Sequence, residues 1–157
     1  MKTSVVITTI NKPNKIIKKL SSKTRENNWN FIIIGDKKTP KSFKINYGDF
    51  YSLKKQFKLD LKFAKYCPLS SYARKNIGYL IAMLKSTIII ETDDDNFPKK
   101  SFFSKRKKTH QAYEIKNSSW INIYDLFIKK KNFIWPRGLP LDELTNKVKV
   151  SKRKINN

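Results

Sequence analysis

Three short aliphatic runs punctuate the chain: SVVITTI at 4–10, FIIIG at 31–35 and TIIIE at 87–91. Each is almost continuously apolar rather than alternating, the pattern of a strand covered on both faces. Between the first two, Ile16, Ile17 and Leu20 recur at helical spacing, with Asn11 as the expected cap and Pro13 at an early helical position. The opening is therefore a predicted βαβ unit with parallel strands. Ahead of the third run, Ala73, Ile77, Leu80, Ile81 and Leu84 place one apolar face on a helix that follows Pro68, Ser70 and Ser71.

The remaining segments carry weaker patterns. GDFYSLKKQFKLDLKFAKY at 48–66 reads as helical or turn-rich, and KKSFFSKRKKTHQ at 99–111 as a basic loop. Trp120, Ile121, Ile123 and Tyr124 suggest a strand running into a short helix or loop. Two prolines and a glycine make IWPRGLPLDEL at 134–144 a rigid turn. The whole predicts an α/β fold, a mostly parallel sheet flanked by helices, in one domain over 1–145. The segment 146–157 is basic and polar, and is expected to form a flexible tail.

Length and composition fit that reading, since 157 residues with a 39% hydrophobic share can bury one core unaided. Charge complicates it. A formal net charge of +23 attracts phosphates, nucleic acid or anionic surfaces whatever the fold. Lysine supplies most of it, alongside abundant isoleucine and asparagine, so an AT-rich genome filling solvated faces explains it equally well. Arginine occurs only at Arg25, Arg74, Arg106, Arg137 and Arg153, and is the more informative cation. No nucleic-acid recognition motif organises the charge, so nucleic acid is not expected as a specific partner. The single cysteine, Cys67, excludes an internal disulfide and suits a reducing, cytoplasmic setting. His110 is the lone histidine, which argues against zinc. The apolar run from Val5 to Ile10 is too short for a signal peptide or a transmembrane segment.

Candidate chemistry collects where the strands end. Ligands of open α/β sheets bind beyond the carboxyl ends of the strands, and three polar clusters fall there: Thr8, Thr9 and Asn11; Asp36; and Asp93, Asp94, Asp95. Three adjacent carboxylates repel one another unless a cation intervenes, and alternation along an extended chain would direct Asp93 and Asp95 the same way, toward Mg2+ or Mn2+. A solvated DDDN turn is the competing reading. Arg74 and Lys75 open a predicted helix, where cations oppose the helix dipole and a bound anion would account for them; an exposed basic face is the alternative. His110 and Cys67 read as an exposed and a packed side chain respectively.

Taken together, VVITTIN, IIIGDKKTP, YCPLSSYARKNIGYLIAM, TIIIETDDDN, INIYDLF and IWPRGLPL resemble the STELLO-type glycosyltransferase family over the chain up to about Leu144. WPRG followed by proline is more distantly similar to the reversibly glycosylated polypeptides, which include UDP-arabinose mutases. The resemblance implies a Rossmann-like glycosyltransferase A fold, here apparently truncated after the nucleotide-sugar-binding half. It implies a donor site for a nucleoside diphosphate sugar, a UDP-sugar first, with an unknown glycan, lipid or protein as acceptor. Thr8, Thr9 and Asn11 would line the nucleoside pocket, with Asp36 near the base or ribose and Arg74, Lys75 and Asn76 toward the diphosphate or uracil. Asp93 and Asp95 would hold Mn2+ or Mg2+. Arg137, facing donor sugar or acceptor, and Asp95 make up the expected catalytic set. Plant members are much longer and carry a membrane anchor, so a partner chain or a homodimer could complete the acceptor side. A non-catalytic basic module that binds polyanions or a partner transferase is the other expectation.

Overall fold

The computed structural model describes residues 2–104, 109–115, 120–126, 128, 134–144 and 150–156. They fall into two compact units, 1–104 and 105–157.

In the first unit, β1 (Thr3–Thr9), β2 (Asn30–Gly35), β3 (Asp49–Tyr51) and β4 (Ile88–Glu91) form one sheet in the order β3-β2-β1-β4, with every pairing parallel. The three apolar runs are therefore strands, as their composition requires. The fourth, β3, is a three-residue edge strand in the segment read as helical or turn-rich, which otherwise supplies the short helices α2 (Leu53–Phe57) and α3 (Lys62–Tyr66). Helix α1 (Lys15–Glu26) starts later than expected: Asn14, not Asn11, is its cap, its Oδ1 accepting from the Ile17 amide at 2.9 Å. Tyr72–Arg74 form a 3-10 turn, capped by the Ser71 hydroxyl, that runs into α4 (Lys75–Met83).

Strand alternation sorts the core into two layers. Val5, Ile7, Phe31 and Ile33 pack with Ile17 and Leu20 of α1 on one side. Val6, Ile32 and Ile34 pack with Ile77, Ile81 and Ala82 of α4, Ala64 of α3 and Cys67 on the other. Gly78 makes the second layer possible, because a Cβ there would lie 2.5 Å from Val6 Cγ1 and 3.0 Å from Ile34 Cγ1. A sheet covered on both faces exposes only its ends to ligand, and the carboxyl ends of β1, β2 and β4 lie together.

The second unit contains an antiparallel pair, β5 (Thr109–Ile115) and β6 (Val150–Asn156). β5 begins in the expected basic loop, and β6 occupies the segment expected to fray. Backbone pairing with β5 gives that polar strand the partners its side chains could not supply. Of the strand expected to run into a short helix or loop around 120–124, no strand forms at 120–122, and a 3-10 turn follows at Ile123–Leu126. The expected rigid turn is present: the Leu139 amide donates to the Pro136 carbonyl at 3.1 Å, Gly138 takes φ +89°, and the Trp135 indole donates to the Leu139 carbonyl at 2.8 Å. A positive φ at the third position of a four-residue turn selects glycine.

Candidate functional site

A cleft of about 370 Å³ opens at the carboxyl ends of the strands in the first unit. Thr8, Thr9 and Asn11 enter it from the end of β1, Asp36 from the end of β2, Arg74 from the turn before α4, and Asp94 from the segment after β4. Five of the residues expected at a ligand site, Thr8, Thr9, Asn11, Asp36 and Arg74, thus line one cavity. It lies beside the point where the chain reverses its winding, with β2 on one side of β1 and β4 on the other.

Each wall has a local cause. Strand β4 ends at Glu91, and Asp94 and Asp95 lie in a turn. The alternation that would align Asp93 with Asp95 therefore stops short of them. Asp94 receives Thr9 Oγ1 at 2.5 Å and Asn11 Nδ2 at 3.0 Å, both on Oδ2, while its carbonyl receives Asn14 Nδ2 at 2.8 Å. Asp93 turns to Lys75, with Nζ at 2.6 Å from Oδ1. Asp95 is exposed. Asp36 accepts from the backbone amides of Lys37 at 2.6 Å and Ser71 at 3.3 Å, so it staples β2 to the entry of α4. Thr39 Oγ1 donates to the Thr9 carbonyl at 2.6 Å and closes the floor between β1 and the loop after β2.

Arg74 is 1% exposed, and its fork meets neutral acceptors: Nε and Nη2 reach Gln56 Oε1 at 3.0 and 2.5 Å, and Nη1 reaches the Cys67 carbonyl at 2.9 Å. Among the described residues it forms no ion pair. Lys75 leaves the cleft and holds Glu91 at 3.0 Å as well as Asp93. Burial works to lower the Lys75 pKa, but its bonds to Asp93 and Glu91 outweigh that and raise it. Glu91 is lowered, first by Lys75 and then by the Tyr79 hydroxyl, which donates to it at 2.9 Å. Cys67 is buried, as expected, and burial raises its thiol pKa. Asn76 is exposed on α4 and does not line the cavity. Arg137 is exposed on the turn of the second unit.

Two contributors escaped the sequence reading. Asp94, rather than its neighbours, is the triplet carboxylate in the cleft, a choice set by the turn. Gln56 anchors Arg74 from a helix of five residues whose pattern gave no signal. Among the described residues no three or more His, Cys, Asp or Glu side chains converge to hold a metal ion. Two cleft carboxylates, Asp36 and Asp94, both already accepting hydrogen bonds from the protein, do not fit a resident ion, although Asp94 fits one that arrives with diphosphate oxygens as its other ligands.

A parallel sheet wound by helices on both faces, with a polar cleft at its carboxyl ends, is a Rossmann-like α/β arrangement consistent with a glycosyltransferase fold. No known family model matches the chain. The Arabidopsis thaliana protein named "Probable glycosyltransferase STELLO1" is 30% identical over 139 residues, which is 80% of this chain and 18% of that protein. The protein named "Probable glycosyltransferase STELLO2", from the same plant, is 28% identical over 130 residues, 74% of this chain and 17% of its own. The chain spans less than a fifth of the length of these relatives. Both matches support a STELLO-type family assignment. No helix among the described residues is long and apolar enough to cross a membrane.

Proposed function

We propose that the first unit is the donor-binding part of a glycosyltransferase and takes a nucleoside diphosphate sugar, a UDP-sugar first, in the cleft. The observation that carries this reading is the buried Arg74, a cation with no ion pair among the described residues, lining a cavity whose other walls carry hydroxyls, the Asn11 amide, the Asp36 and Asp94 carboxylates, Lys38 and the apolar Ile10 and Ile34. Such a lining suits a ligand with an anionic centre and polar wings. Thr8, Thr9 and Asn11 would meet the nucleoside, with Asp36 near the ribose or base, and Arg74 would meet the diphosphate. Arg74 would then stabilise the leaving nucleoside diphosphate as charge develops on it. A Mn2+ or Mg2+ ion carried in by the diphosphate would be held by Asp94, with Asp95 on the same turn, and would supply Lewis-acid stabilisation of the leaving group. Asp93 is spoken for by Lys75, so it stands outside this proposed set. Arg137 would act on the donor sugar or acceptor, an unknown glycan, lipid or protein.

The test is calorimetric titration of the chain with UDP, with and without Mn2+, in salt high enough to mute non-specific attraction. Manganese-dependent binding that Asp94→Ala weakens is the expected result. A folded chain that binds neither UDP nor GDP nor their sugars sinks the reading. The net charge of +23 favours a second one, a basic module for polyanions. Its signature would be steeply salt-dependent binding to any polyanion, indifferent to Asp94→Ala.

A further inference from the structure

Gln56 has no part in the proposal above, yet it is fully buried and makes four hydrogen bonds across three elements. Its Nε2 donates to the carbonyls of Gly35 at 2.7 Å and Tyr51 at 2.6 Å, the last residues of β2 and β3. Its Oε1 accepts both Nε and Nη2 of Arg74. Two carbonyls on one side demand a donor and the guanidinium on the other demands an acceptor, so the position suits an amide. A carboxylate would set an oxygen against two carbonyl oxygens. The chemical consequence is that Arg74 is held in place without being neutralised.

Three of the five guanidinium N–H groups are taken by Gln56 and the Cys67 carbonyl. One N–H remains on each of Nη1 and Nη2, with no acceptor among the described residues, and the side chain lines the cleft. Behind it, the Phe57 ring lies 5.6 Å from the guanidinium carbon. A buried charge without a counter-ion is costly, and a bound anion offsets that cost. We infer that Gln56 is a positioning residue, a neutral clamp that fixes the Arg74 fork at the carboxyl end of the sheet and reserves its charge for a phosphoryl group. The inference deepens the donor-site reading and rests on it for the identity of the ligand.

The test uses the full chain and inorganic pyrophosphate at high salt. In the wild type, the Arg74 Nε–H resonance, assigned by its loss in Arg74→Lys, should shift and saturate as pyrophosphate is added; a resonance that does not move overturns the clamp. Gln56→Glu gives the fork a counter-charge and should weaken pyrophosphate binding at least tenfold near neutral pH. The wild-type-to-variant ratio should shrink as the pH falls and the introduced carboxylate protonates, a response that a purely structural bridge would not give. Equal affinities, or a ratio indifferent to pH, overturn the inference. Should Gln56→Glu fail to fold, the wild-type resonance decides alone. Binding of pyrophosphate but not UDP would sink the nucleotide reading and leave the clamp standing. Binding of UDP with an unmoved Arg74 resonance would do the reverse.

Discussion

Lys75 Nζ lies 2.6 Å from Asp93 Oδ1 and joins the first residue of α4 to the segment beyond β4. The same ammonium reaches Glu91 at 3.0 Å and the Thr92 carbonyl at 3.3 Å. A lysine at a helix N-terminus opposes the dipole, and here its carboxylate partners, not a ligand, account for it. The pairing also divides the acidic triplet: Asp93 serves the fold, leaving Asp94 to the cleft.

This cluster sets a pH profile. Glu91 is lowered below its ordinary 4.5, so its contribution is complete above that value and is lost as the pH falls through the lowered one. Lys75 is raised above 10.5, so its contribution is complete below that value and is lost as the pH rises through the raised one. The Glu91 side chain is 58% exposed, which limits the pair to about 0.2–1 kcal/mol. Urea melts should show Lys75→Met flattening the loss of stability at both extremes. An unchanged acid limb would assign that limb to other carboxylates.

Gly78→Ala tests the close approach of α4 to the sheet. Alanine would favour the helix by about 1 kcal/mol, but its Cβ meets Val6 and Ile34 side chains inside a packed layer. Overpacking should dominate, with a net loss of about 1–3 kcal/mol by chemical denaturation. Adding Val6→Ala should recover part of it, since the two changes share one contact. A neutral Gly78→Ala would mean that the sheet yields at that point.

The legible parts of this protein were those whose cause is local. β1 and β2 announced themselves because strands buried on both faces must be apolar throughout, β4 through its isoleucine run although it is a half-buried edge strand, and the turn at Pro136–Leu139 because glycine alone accepts its φ readily. β3 was hidden by its three-residue length and edge position. β6 was hidden by the polarity of VSKRKIN, whose pairing is a backbone matter. The cleft residues at the strand ends could be listed, but not the direction of each carboxylate, because parity lapses once the strand ends at Glu91. Gln56 was beyond reach for a different reason: its partners belong to β2, β3 and the turn before α4, which meet only on folding.

The three aspartates should separate functionally. Asp94→Ala removes the acceptor shared by Thr9 and Asn11 and one of the two carboxylates that line the cleft, so UDP affinity in the presence of Mn2+ should fall at least tenfold. Asp93→Ala should instead lower stability by removing the nearer of the two carboxylates that hold Lys75, with affinity little changed. Asp95→Ala, at an exposed position, should leave stability untouched, and any loss of affinity it causes measures its share in holding the ion. Calorimetry paired with thermal melts distinguishes the three; equal losses of affinity would show that the triplet acts as one anionic patch.

Asn14 offers the last separation, between a helix cap and a site support. Its Oδ1 caps α1 through the Ile17 amide, while its Nδ2 donates to the Asp94 carbonyl at 2.8 Å. Asn14→Ala removes both functions and should cost about 0.5–2 kcal/mol of stability through the cap alone. Asn14→Asp keeps an acceptor for Ile17 and places a negative charge where the helix dipole favours it, but it sets an oxygen against the Asp94 carbonyl. It should therefore retain most of the stability while loosening the turn that carries Asp94, and UDP binding should weaken with little change in melting temperature. If binding instead follows stability across both variants, Asn14 acts on the cleft only through α1.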